Sequence, residues 1–192
     1  MTRPAFVNNY QLIVSEDTFG TGIFPGTVFA VAILESSDSL GNVGGSQLTL
    51  QGNNWFGIEA GPAWTGPTID FQDANGNLIT YRAYPDFESS LMDFIELLTA
   101  NSRYNPVTSA PDPLSQMQAL QDTGYNSSPG YGGILQSIYA TIQGYLPAIN
   151  QPVPPGAINP LPGQVGPVNP ALILVLLAAF ALVFLSRKGQ YR

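Results

Sequence analysis

The sequence predicts a mainly helical α+β domain over residues 1–146, a Pro/Gly-rich linker over 147–169, one transmembrane helix over 170–186 and a basic tail over 187–192. Three observations carry this reading. Apolar residues recur at helical spacing in several stretches before residue 146, and a single stretch, 67–84, alternates as strands do around a turn. After Leu146 the composition changes abruptly, first to proline and then to an unbroken apolar run.

Composition limits the chemistry. The chain of 192 residues has no cysteine and no histidine, which excludes disulfide scaffolds, thiol nucleophiles, Cys/His metal sites and Ser-His-Asp triads. No metal or cofactor is expected, and carboxylates, tyrosines and hydroxyls remain for catalysis. All 13 acidic residues precede residue 150, with only Arg3, Arg82 and Arg103 beside them, whereas Arg187, Lys188 and Arg192 make the tail basic. A domain so acidic does not suit nucleic acid, and a neutral or cationic polymer is the better substrate.

In chain order, Pro4 to about Glu16 reads as a first helix with Phe6, Tyr10, Ile13 and Val14 on one side. Pro25 suits the first turn of a second helix that is apolar at every position from Val28 to Leu34 and therefore belongs in the core. This helix ends on Glu35, which shares a face with Val28, Val31 and Ala32. Desolvation and the helix dipole would both raise its pKa, as a proton donor near neutral pH requires. The alternative is a Glu that escapes to solvent where the helix ends. Ser37 to Gly45 is a polar, Gly-rich loop, and Ser46–Gln51 makes a short turn of helix. In Asn53-Asn54-Trp55-Phe56-Gly57-Ile58, asparagine amides stand beside large aromatics. Trp55 and Trp64 are read either as platforms for sugar rings or as core.

Residues 67–72 and 78–84 flank the turn segment Asp73–Asn77, which contains Asn-Gly, and form a β-hairpin. Asp70, between Ile69 and Phe71, must point to the face opposite both, either into a cleft or into open solvent. Asp86 caps an amphipathic helix carrying Phe87, Leu91, Phe94, Ile95 and Leu98. Asp112-Pro113 starts a shorter helix with Leu114, Met117 and Leu120, and a loop from Gly124 to Tyr131 leads into a last helix with Ile134, Leu135, Ile138, Tyr139 and Ile142.

Ile33-Leu34-Glu35-Ser36, Gly45-Ser46, Asn53–Ile58, Arg82-Ala83-Tyr84, Glu88-Ser89 and Gly124-Tyr125 with Tyr131 occur in an order that resembles the glucosaminidase family of peptidoglycan hydrolases, glycoside hydrolase family 73. The resemblance runs from about Phe19 to Ile142. It implies a lysozyme-like fold with a small β-lobe, and peptidoglycan glycan strands as substrate. It also implies Glu35 as general acid, Tyr125 as a cleft tyrosine with a catalytic part, and Asn54, Trp55, Phe56, Trp64, Tyr84 and Tyr131 as substrate-binding residues. The family commonly has Thr-x-Glu-aromatic in the β-lobe, and here Thr68-Ile69-Asp70-Phe71 stands in its place, with a shorter carboxylate suited to activating water. The implied activity is an endo-β-N-acetylglucosaminidase. A lytic transglycosylase and an inactive glycan-binding or structural virion protein are the alternatives.

From Pro147 to Asn169 the chain holds seven prolines and three glycines without a charge, a semi-rigid spacer that would reach roughly 70 Å at about 3.1 Å per residue. Ala171–Leu185 is then fifteen apolar residues, extended to nineteen by Val168–Ser186, with Arg187 and Lys188 placed to snorkel. A buried core helix is the alternative to a membrane span. Met1-Thr2-Arg3-Pro4 leads into a helix with no apolar signal segment. A C-terminal anchor without such a signal points to a phage virion protein, carried in an internal membrane beside other virion proteins and opening the wall during genome delivery. A bacterial envelope protein is the other setting.

Overall fold

Helix α1 (Arg3–Thr18) begins where Thr2 caps it, and buries Phe6, Val7 and Val14. In this computed structural model, which describes residues 1–72 and 76–146, the elements that follow are α2 (Pro25–Ser36), α3 (Gln47–Gly52), β1 (Thr68–Gln72), β2 (Leu78–Arg82), α4 (Phe87–Ala100), α5 (Asn105–Thr108), α6 (Pro113–Asp122) and α7 (Tyr131–Ile142). The mainly helical α+β class with one hairpin is thus the observed fold. Short 3-10 turns at Ser102–Tyr104 and Gln143–Tyr145 complete it.

Helix α2 is the buried axis, with every residue from Gly26 to Ile33 out of solvent. Its N-terminus is set by the fully buried Gln116, whose Oε1 accepts from the Phe24 amide at 2.9 Å while its Nε2 donates to the carbonyls of Gly22 and Val107. Gly26 allows α7 to lie close, because a Cβ there would come within 2.5 Å of the Tyr139 ring. The C-terminal end of α2 is held by the following loop: the Ser36 carbonyl accepts from Ser46 N and its Oγ from Gly44 N, at 2.9 and 3.1 Å. Asp38 organises that loop by accepting from the Leu40 and Asn42 amides.

Capping residues do what the sequence predicts. Asp86 Oδ1 accepts from Ser89 N at the start of α4, and Asp112 Oδ1 accepts from Ser115 N at the start of α6. The helical residues 102–108 have no counterpart in the sequence reading, because three residues of 3-10 turn and four of α-helix are too short for a periodic signal. Leu114 and Ile134 lie on the solvent sides of their helices rather than in the core.

The hairpin pairs Thr68 with Arg82 through to Gln72 with Leu78, antiparallel. Beyond the expectation, residues 58–60 run beside β2 and join it through an isolated bridge. Arg82 N donates to the Ile58 carbonyl, Ala60 N donates to the Thr80 carbonyl, and Glu59 pairs with Tyr81. The linker, the membrane helix and the basic tail predicted for 147–192 lie outside the described residues. Among the described residues no helix is long and apolar enough to cross a membrane.

Candidate active site

Glu35 stands in the last turn of α2, at the wall of a cleft of about 530 Å³ lined also by Gly57, Glu59, Arg103, Tyr125 and Asn126. Tyr131 Oη donates to Glu35 Oε1 at 2.8 Å, and Asn126 Nδ2 approaches the same oxygen at 3.4 Å. From the other side Gly57 closes on the second oxygen, where a Cβ would come 3.0 Å from Oε2. Gly57 has φ of 67°, a left-handed conformation that suits glycine. Burial pushes the Glu35 carboxyl above its ordinary range, and the two hydrogen bonds, which favour the ionised form, offset that only in part. Its place at the C-terminal end of α2 acts in the same direction as burial. The group is therefore a carboxyl whose charged form is disfavoured relative to a free glutamate, and it opens onto a polar cleft.

Tyr125 also lines the cleft, and its Oη donates to the Phe56 carbonyl at 2.5 Å. Burial, and secondarily the charge of Glu35, hold its phenol well above the usual range, so it acts as a neutral hydroxyl. Its bond fixes the segment that carries Gly57. The phenol of Tyr131 is pushed up by the same two causes and stays protonated as a donor to Glu35.

Five residues expected to touch substrate are placed elsewhere. Trp55 is core: 7% exposed, its ring stacks on Phe6 at a centroid distance of 5.3 Å. Phe56 is fully buried and stacks on Phe94 at 4.4 Å. Asn54 is fully buried and works as a brace, its Nδ2 donating to the carbonyls of Ile58 and Arg82 while its Oδ1 accepts from the Ile58 amide. Tyr84 is buried with its Oη on Asp93 at 2.5 Å. Tyr131, expected on the sugar, instead meets Glu35 and is 1% exposed. Trp64 alone of the six keeps an open face, lining an adjacent hollow of about 410 Å³, with the Arg82 guanidinium 4.6 Å from its ring centre.

Asp70 is exposed on β1, where its Oδ1 accepts from Thr80 Oγ1 at 2.7 Å. The described residues that line the cleft around Glu35 include Glu59 and not Asp70. Sequence reasoning missed Glu59, Asn126, Arg103 and the ion pair of Arg82 with Asp93 at 2.8 Å. Arg103 donates to the carbonyls of Thr123 and Gly124 and so fixes the loop carrying Tyr125 and Asn126. The Ile58-Glu59 alternation beside the hairpin was the available signal for Glu59. The long-range pairs of the others have none.

A helical body, a small β-lobe and a desolvated glutamate at the cleft wall define a glycosidase of lysozyme-like architecture. Residues 15–144 match the Glucosaminidase family, described as mannosyl-glycoprotein endo-beta-N-acetylglucosaminidase, and the chain belongs to that family. It is similar to the peptidoglycan hydrolase FlgJ of Escherichia coli K12, 35% identical over 85 residues, covering 41% of this chain and 27% of that protein. It is also similar to the exo-glucosaminidase LytG of Bacillus subtilis, 29% identical over 126 residues, covering 60% of this chain and 43% of that one. The chain thus spans less than half the length of these curated relatives. Among solved structures, the glycoside hydrolase domain of Salmonella typhimurium FlgJ superposes with a TM-score of 0.57 at 26% identity, covering 75% of this chain and 90% of that one.

Proposed function

We propose that this chain cleaves the β-1,4 glycan of peptidoglycan as an N-acetylglucosaminidase, with Glu35 as general acid. The observation that carries the proposal is the largely desolvated Glu35, its pKa raised by burial, opening onto a polar cleft of about 530 Å³. Relatives named as peptidoglycan hydrolases support the substrate. Glu35 would give its proton to the glycosidic oxygen as the C1–O bond breaks, and Tyr131 would hold the carboxyl in place through that step. Endo cleavage fits a cleft open along its side, and Trp64 in the adjoining hollow extends the contact surface for further sugars. Digestion of purified sacculi by the full chain, followed by mass spectrometry of released fragments, tests this. Products ending in reducing N-acetylglucosamine are expected, and products ending in N-acetylmuramic acid, or no products, would overturn it.

The same reading includes a membrane tether. The apolar run of residues 171–185, followed by Arg187 and Lys188, supports a span that holds the enzyme at a lipid surface through a proline-rich spacer. A lipid-containing phage particle is the setting in which such a tethered enzyme meets the wall from outside. Flotation with phospholipid vesicles at high salt should carry the full chain upward and leave a chain ending at Leu146 at the bottom. Equal sedimentation of both would remove the tether.

A further inference from the structure

We propose that Glu59 is the second carboxylate of the reaction and takes a proton from the attacking water. The inference rests on the glycosidase reading above. Glu59 lines the same cleft as Glu35, whereas Asp70 lies outside that lining, bonded to Thr80. The environments of the two cleft carboxylates differ as a donor and a base require: Glu35 is desolvated and bonded by Tyr131, and Glu59 is exposed to water.

Position and rigidity support the assignment. Gly57 lies against Glu35, with its Cβ direction ending 3.0 Å from Oε2. Two further residues of chain extend at most about 7 Å, so the Glu59 backbone stays within about 12 Å of the Glu35 carboxyl. Both carboxylates line the same cleft of about 530 Å³, whose volume has room for a water molecule and a sugar ring. Ile58 is buried beneath the strand, so its neighbour Glu59 is turned to the open side. The backbone at Glu59 is fixed on both flanks by the Ile58–Arg82 and Ala60–Thr80 hydrogen bonds, and its own carbonyl accepts from Arg82 Nε at 3.3 Å. Arg82 is itself anchored on Asp93 through two bonds of 2.8 and 2.9 Å. Asn54 braces the same segment from beneath.

The step balances with water as the co-reactant. Glu35 passes its proton to the glycosidic oxygen, which leaves with the bonding pair. Water oxygen bonds to C1, and Glu59 takes the proton that water sheds. Exchange with solvent then returns Glu59 to the carboxylate and Glu35 to the acid.

The test compares full-length Glu59→Gln, Glu59→Ala, Asp70→Asn and Glu35→Gln on purified sacculi, with thermal unfolding of each. Glu59→Gln is expected to lose at least about a hundredfold in kcat with KM little changed and the unfolding midpoint kept. Azide should restore turnover to Glu59→Ala, because it replaces water at C1 without needing a base, and the product should be a glycosyl azide. Glu35→Gln should gain nothing from azide. Overturning results are Glu59→Gln within threefold of the wild type, a Glu59→Ala that azide does not rescue, or anhydro-sugar products from the wild type, which require no activated water. If Glu35→Gln keeps its activity, the glycosidase reading itself fails, and that outcome is separate from all of these.

Discussion

The two walls of the cleft are built on opposite principles. One wall is the end of α2 with the loop before α7, where Glu35 is surrounded by Tyr131, Asn126 and Gly57. The other is the segment 58–60 bridged to β2, where Glu59 stands in water. The difference teaches that a proton donor draws its function from what excludes water, so its neighbours are part of the acid. A carboxylate that handles water needs only a fixed backbone and an open side.

Crowding the buried wall should have the larger effect. Gly57→Ala places a methyl 3.0 Å from Glu35 Oε2 at a left-handed φ, so the carboxyl or the strand must shift. A loss of about tenfold or more in kcat is expected from misplacement of the acid, with a stability cost of about 1 kcal/mol or more. Unchanged kinetics would show that Glu35 has slack, and would weaken the contrast between the walls.

A smaller change sharpens the electrostatics. Tyr131 donates to Glu35 and favours its ionised form, so Tyr131→Phe removes a bond that lowers the acid's pKa while keeping the buried ring. The alkaline limb of the pH–rate profile, which marks loss of the Glu35 proton, should move to higher pH. Movement to lower pH would mean that Tyr131 supports the protonated acid instead.

The buried half of the molecule was legible because its signals are local or periodic. Pro25, the apolar run from Val28 to Leu34 and the terminal Glu35 describe a core helix ending in a perturbed acid, and the helix stands where the sequence places it. Asp86 and Asp112 likewise mark helix starts through contacts three residues away. The Asn54-Trp55-Phe56 run was misread as sugar-facing because exposed and buried aromatics look alike in sequence. Only the folded chain shows Phe6 and Phe94 waiting to stack on them. The hairpin was legible, with Asp70 read as its catalytic carboxylate, but Glu59 beside it was not. Glu59 reaches the cleft beside a bridge to Tyr81, 22 positions away in sequence, and the Ile58-Glu59 alternation is its one local sign.

The central claim is that Glu35 is the general acid, its pKa raised by burial, and the full-length Glu35→Gln variant tests it most directly. Gln keeps the shape and can still accept from Tyr131, so the fold should persist. A folded-state pKa raised above the unfolded value stabilises the protein below the unfolded pKa, and this contribution is lost as pH rises through the folded pKa. The stability of Glu35→Gln relative to the wild type should therefore increase over that rise. Release of reducing ends from sacculi, measured on this folded variant beside the wild type, should fall at least about a hundredfold. Wall clearing at near the wild-type rate by the folded variant would contradict the account.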